Sequence, residues 1–301
     1  MINKKILPIA ISALLFYFLL PPLTQFCEEK TAGFKISAIS FSIPENANWR
    51  SFPLSKKEKE EIFSALQKPF YFLSSGNQSF VFESEDGRYV LKFFRKKLYL
   101  PSFWVQSLPE PFNHRYAKKI AKREDKLRRD FNSYALAVKA LREETGVLYV
   151  HLQNTKDPFA DSTIIVDRLN IAHSLELSSF AFILQKKAEL VFPHIERLYQ
   201  EGDKERVKAA LSSLVQLLAS INRKQLIDSP PDFDKNFGFL GERAVEIDVG
   251  KFSQGVGEMA PPIIKKTFQD WLFGLDPLLL EHFAKEYQRA FKIPMDPDPL
   301  L

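Results

Sequence analysis

Cysteine is almost absent from this sequence. Cys27 stands alone among 301 residues, so no disulfide can form within the chain and no cysteine-based metal site can be built. None of the five histidines lies four residues from another, the spacing of a helical zinc pair, which argues against zinc chemistry. Charge of one sign is also weak. With 42 Lys and Arg against 37 Asp and Glu, the balance of +5 permits an acidic partner without demanding one. After the first 23 residues no stretch has the length and polarity of a membrane span. What remains is 45 % hydrophobic residues, ample for a real core, in a length that suits one large domain or two lobes. Strand-like segments fall mostly in the first half and long helical patterns in the second, which predicts an α+β class.

The one long apolar run is at the start. Lys4 and Lys5 precede an uncharged stretch from Ile6 to Leu23, interrupted by Pro8, Pro21 and Pro22. Residues 1–23 therefore read as a signal peptide or a membrane anchor, giving a membrane-associated protein, or an exported one if the segment is cleaved. The lysines favour a cytosolic N-terminus, which would place the large domain where ATP is scarce. Residues 24–55 read as a linker with one strand near Phe34 to Ile43. Ser55 and Glu58 have the spacing of a capping box, so a short helix begins there.

Next comes Leu73-Ser74-Ser75-Gly76-Asn77-Gln78-Ser79-Phe80-Val81, then Asp86-Gly87, then Tyr89-Val90-Leu91-Lys92. Asp-Gly between runs rich in Val, Phe and Tyr predicts a hairpin, so Lys92 lies on the third of three strands. Residues 115–129 hold eight Lys or Arg and two acids, on a helix running from about Pro111 to Glu144. Aromatics are not interleaved with these charges as base stacking requires, so the run reads as a solvated helix face and no specific nucleic-acid partner is expected. Val147 to Leu152 and Thr163 to Asp167 read as strands, the second a buried one. His151 and His173 have no nucleophile beside them and read as packing or surface groups. Ala181 to Gln200 and Lys204 to Asn222 read as helices.

The loop, the turn and Lys92 resemble the nucleotide-covering loop and strand lysine of the protein kinase-like superfamily, with Gly76 and Val81 in place and Ser74 and Ser79 where glycines stand. A second stretch extends the resemblance. Asp228-Ser229-Pro230-Pro231-Asp232-Phe233-Asp234-Lys235-Asn236 precedes a predicted hairpin that ends in Asp248-Val249-Gly250, the order of the family's catalytic loop, β-hairpin and D-F-G motif. The resemblance covers about Leu66 to Phe252. It implies a two-lobed fold, with a small antiparallel N-lobe over 56–168, a mainly helical C-lobe over 169–301, and the junction at Asp167-Arg168-Leu169-Asn170.

It also implies ATP and Mg²⁺ as cofactors, with Ser74, Gly76, Ser79, Val81 and Lys92 at the nucleotide and Asn236 and Asp248 at the metal. An acid on the helix after Lys92 should pair with it. Asp130 is the first choice, and Glu124 and Asp125 are alternatives. The family's catalytic aspartate would fall on Pro231, so the base must come from Asp228, Asp232 or Asp234, with Asp228 favoured for following the apolar Leu226-Ile227 pair. The implied function is an atypical phosphotransferase acting on a hydroxyl substrate. Its rival is a membrane-tethered pseudokinase scaffold that binds nucleotide or a protein partner without catalysis.

Overall fold

In the computed structural model, the described residues are 6–50, 53–100, 112–153, 155, 159, 162–227, 231–255 and 260–293. The fold begins with helix α1 (Ile6–Thr31), which ends where Ala32 and Gly33 both take positive φ and the Gly33 amide donates to Glu28 O. Among the described residues no helix is long and apolar enough to cross a membrane. Helix α2 (Lys56–Leu66) starts at the expected capping box, with Ser55 and Glu58 bonded reciprocally.

Seven strands then build one sheet: β1 (Phe70–Ser75), β2 (Ser79–Ser84), β3 (Tyr89–Phe94), β4 (Val147–His151), β5 (Ser162–Val166), β6 (Ala172–Glu176) and β7 (Phe182–Lys186). Their order is β4-β7-β3-β2-β1-β5-β6. Alternation decides the two faces, because side chains along a strand point to opposite sides. Phe70, Phe80, Phe82, Leu91, Phe93 and Phe182 form an outer core with Phe34, Ile39, Ile62 and Leu66. Val81, Lys92 and Ile183 pair directly across β2, β3 and β7 and so lie on the opposite, inner face.

Helix α3 (Phe112–Ala140) packs its apolar half, including Phe131 and Val138, into the core on that inner side. After β7 the chain passes through β8 (Glu189–Leu190) into α4 (Val191–Gln200) and α5 (Lys204–Arg223). The short β9 (Leu226–Ile227) follows, then the hairpin of β10 (Phe237–Leu240) and β11 (Arg243–Glu246), then β12 (Ser253–Gln254), which pairs with β9. Helices α6 (Lys266–Leu275) and α7 (Pro277–Phe291) close the chain, α7 lying against α5.

Several expectations are corrected here. The sheet is mixed and larger than a small antiparallel one, because β5 pairs parallel to β1 and carries β6 with it. Asp167 to Asn170 is the turn of the β5–β6 hairpin, held by Asp167 accepting from the Leu169 and Ile171 amides. The chain leaves the sheet only after Lys186, so residues 172–186 belong to the sheet and not to a helical lobe. Ala181 to Gln200 is therefore a strand and then a helix. The apolar residues of Phe182-Ile183-Leu184 were compatible with either period, and burial on both faces selects the strand. Strand β5 alternates between exposed and buried positions, so it is not a buried strand. Nor is 24–55 a linker. Phe34 and Ile39 are buried on the outer face of the sheet, Trp49 is buried against Phe131 of α3 in the other core, and Ile36–Ile39 is a helical turn where the sequence predicts a strand.

Candidate active site

Lys92 is fixed on the inner face by β2 on one side and β7 on the other, opposite Val81 and Ile183. Its ammonium crosses the cleft and donates to Ile247 O at 2.8 Å. The peptide it reaches belongs to the end of the β10–β11 hairpin. On the same residue the Ile247 amide donates to Asn236 O at 2.7 Å, continuing the ladder in which Phe237 faces Glu246. Lys92 and Asn236 thus meet at one residue, bonded to the carbonyl and the amide of Ile247, with Asp248 next in the chain. Burial pushes the Lys92 ammonium down to about 8, and the Asp248 carboxylate works the other way.

Asp248 is half-buried and makes no ion pair within 4 Å among the described residues; the hydrogen bond found there is a long one, 3.4 Å, from the Gly250 amide. The following turn is packed tightly. Ser133 Oγ on α3 donates to Val249 O, and Tyr134 OH on α3 donates to Gln78 Oε1 at 3.0 Å. Gly250 sits beneath these two side chains, and a Cβ there would collide with Gln78 Oε1 and Tyr134 OH. Burial, and then the charges of Asp248 and Asp130, hold the Tyr134 phenol well above its ordinary range, so it serves as a neutral donor.

The loop between β1 and β2 is a tight turn. The Gly76 amide donates to Ser79 O at 3.0 Å, Ser74 and Gly76 are exposed, and Ser79 and Val81 are half-buried beside their cross-strand partners Phe94 and Lys92. Gln78, at the base of this turn, was not singled out from the sequence, nor were Ser133 and Tyr134. For the latter two a signal existed. Tyr134 stands one helical turn after Asp130, on the apolar half of α3.

The acid on α3 is corrected. Asp130 is buried, but its carboxylate is taken by Lys126 Nζ at 2.7 Å and Tyr99 OH at 3.0 Å, so it does not pair with Lys92. Asp125 is bound to Arg128 on the helix surface, and Glu124 is exposed. The charge facing Lys92 comes instead from Asp248. Of the candidate bases, Asp232 forms an ion pair with Lys265 at 2.8 Å, and Asp234 is exposed beside Lys235. Between them the buried Phe233 anchors the loop against Phe237 and Phe268. Asp228 lies outside the described residues.

No cluster of three His, Cys, Asp or Glu able to hold a metal ion occurs among the described residues. Oxygen donors at Asp248 and Asn236 suit Mg²⁺, which keeps several waters and takes further ligands from phosphates.

No family model and no curated protein matches the sequence. Among solved structures, the fold is similar to the bifunctional kinase-methyltransferase WbdD, at 13% identity and a TM-score of 0.34 over 72% of this chain and 43% of that one. A complex of WbdD with the kinase inhibitor LY294002 matches at 15% identity and a TM-score of 0.31, over 74% and 46% of the two chains. Rv3197 from Mycobacterium tuberculosis, solved with erythromycin, matches at 15% and 0.34 over 92% of this chain and 75% of that one. The chain spans less than half the length of the WbdD chains. Similarity at this level says nothing about chemistry, which the residues around Ile247 must supply themselves.

Proposed function

We propose that the cleft between the sheet and the β10–β11 hairpin binds ATP with Mg²⁺ and transfers its terminal phosphoryl group to a hydroxyl substrate. The observation that carries this reading is the meeting at Ile247: a lysine from the third strand reaches, more than 150 residues along the chain, the end of the hairpin that sets Asn236 and Asp248 side by side. In free protein the Lys92 ammonium rests on a carbonyl, a neutral acceptor that an anionic phosphate would displace, since charge-assisted hydrogen bonds are the stronger ones. Asp248 and the Asn236 side chain would hold the metal together with phosphate oxygens and water; the metal would neutralise charge as it builds up on the transferred group. A carboxylate near Asn236 would take the proton of the attacking hydroxyl, and Asp232 becomes available for this only if it leaves Lys265.

A second reading, nucleotide binding without transfer, has its own support. Pro231 occupies the position of the family's catalytic aspartate, and Asp232 is engaged. A membrane tether through the N-terminal run belongs to both readings.

Thermal unfolding with and without MgATP tests the shared part. A ligand at a hundred times its dissociation constant adds about 2.7 kcal/mol of stability, and Lys92→Ala and Asp248→Asn should each remove that increment. An unchanged melting temperature in millimolar MgATP would overturn both readings. Phosphoryl transfer that survives both substitutions would overturn the site. Turnover in the parent protein, reduced about 10²–10⁴-fold by Asp228→Asn or Asp232→Asn, separates the enzyme from the scaffold.

A further inference from the structure

Along α3 the residues Lys126, Arg129, Asn132, Leu136 and Lys139 recur three or four positions apart, so they share one side of the helix. That side lines a cavity of about 770 Å³, and Lys251, just after the Asp248–Gly250 turn, lines it from a separate segment. The segment is held against α3 on both sides of Lys251. Ser133 Oγ donates to Val249 O, and Val249 and Phe252 are buried in the same core as Phe131 of α3. The two backbones that carry the cations are therefore fixed across the cavity.

Charge on its walls does not balance. The acid among them, Asp130, is already answered by Lys126 Nζ at 2.7 Å and Tyr99 OH at 3.0 Å, which leaves Arg129 and Lys251 unopposed beside the further cation of Lys139. Neither Arg129 nor Lys251 forms an ion pair among the described residues. Glu124 and Asp125 of α3 do not line the cavity, and Asp125 pairs with Arg128. The amides add to the same imbalance. Asn132 Oδ1 accepts from Trp49 Nε1 at 2.8 Å and Gln78 Oε1 from Tyr134 OH at 3.0 Å, so each has its NH2 group left to donate. Asn48 is the remaining polar side chain on the walls, and its amide can present either end.

Cations and amide donors set around one space suit a tetrahedral dianion, because charge-assisted bonds are the stronger ones and a guanidinium meets two phosphate oxygens at once. The space is larger than one such ion. Ala135, Leu136 and Phe252 supply apolar wall beside the cations, as an organic group attached to the phosphate would require. We propose that this cavity binds a phosphate monoester of a small organic molecule, with Arg129 and Lys251 bonded to its phosphoryl oxygens from opposite segments. Gln78 and Gly250 line the cavity and also border the cleft of Lys92 and Asp248, so the two sites adjoin. Binding here does not rest on the phosphotransfer reading.

Titration calorimetry of the full chain with phenyl phosphate and with inorganic phosphate, at fixed ionic strength, tests the proposal. Every protein carries Lys92→Ala, so that the cation of the adjoining cleft is absent. Arg129→Gln and Lys251→Gln should each weaken phenyl phosphate binding at least about tenfold, the loss of one hydrogen bond between charged groups. Both side chains are exposed, so neither change disturbs the core. Arg128→Gln removes the same charge from a part of α3 outside the cavity and should leave the affinity within about twofold, as for an exposed ion pair. Phenyl phosphate should bind at least about threefold tighter than the free ion, through the apolar wall. Equal losses in all three variants would overturn the proposal as a general effect of charge, and so would an absence of saturable binding. Binding that appears only when Lys92 is restored would place the phosphate in the cleft and overturn it too. Equal affinity for the two probes would overturn the ester and leave the free ion as the ligand.

Discussion

Lys92 shows how one residue couples burial to function. Burial lowers its ammonium to about 8 from an ordinary 10.5, so between those values the unfolded chain binds the proton more tightly than the fold does. Below about pH 8 the fold carries the full cost of a buried charge; stability from this group rises as pH increases from about 8 toward 10.5. Lys92→Met should flatten that rise in urea melts across pH 7.5–10. A bound phosphate requires the charged form, so MgATP affinity should fall by up to about tenfold per unit once pH exceeds about 8. Lys92→Arg keeps its charge at any such pH, so any binding it retains should be insensitive to pH, as titration calorimetry at pH 7, 8 and 9 would show. The lysine itself was legible in the sequence because its strand and turn are local signals. Its counter-charge was not, because α3 offers three acids within seven residues and only packing shows that Tyr99 and Lys126 occupy Asp130.

At the scale of elements, the passage from the sheet to the helices depends on a close approach. Strand β8 pairs with β10, Leu190 facing Gly238, and a Cβ on Gly238 would lie 2.5 Å from Glu189 O. Backbone cannot swing aside as a flexible side chain can, so Gly238→Ala should cost about 1–3 kcal/mol as overpacking does, read by chemical denaturation. If the proposed nucleotide lies beneath this crossing, the same change should also weaken MgATP binding. The loop before β10 has the opposite design. Phe233 is buried against Phe237, Phe268 and Phe283, and Phe233→Ala should cost about 3–5 kcal/mol while freeing Asp232 and Asn236 from a fixed frame. Sequence reasoning found this loop by its acids, yet the aromatic between them is what fixes it.

For the whole molecule, the extra hairpin β5–β6 and the segment from Phe34 to Trp49 set this chain apart from a minimal sheet and helix bundle. The first widens the sheet beyond β1, and the second fills its outer face with Phe34 and Ile39. Deleting residues 24–50 should therefore expose the outer core and lower the melting temperature, where removal of a mere linker would leave it unchanged. Local chemistry in the sequence determined what depends on short range: the Asp-Gly turn, the capping box at Ser55, the helix over 112–140, and the order in which Lys92, Asn236 and Asp248 occur. Tertiary structure decided what depends on competition between partners far apart in the chain. A strand and a helix segment have the same apolar look until a neighbour pairs with one of them, as β3 and β4 do with Phe182 to Lys186. A carboxylate's role likewise waits on which cation the fold brings within reach, and for Lys92 that choice was made between α3 and the end of a hairpin more than 150 residues away.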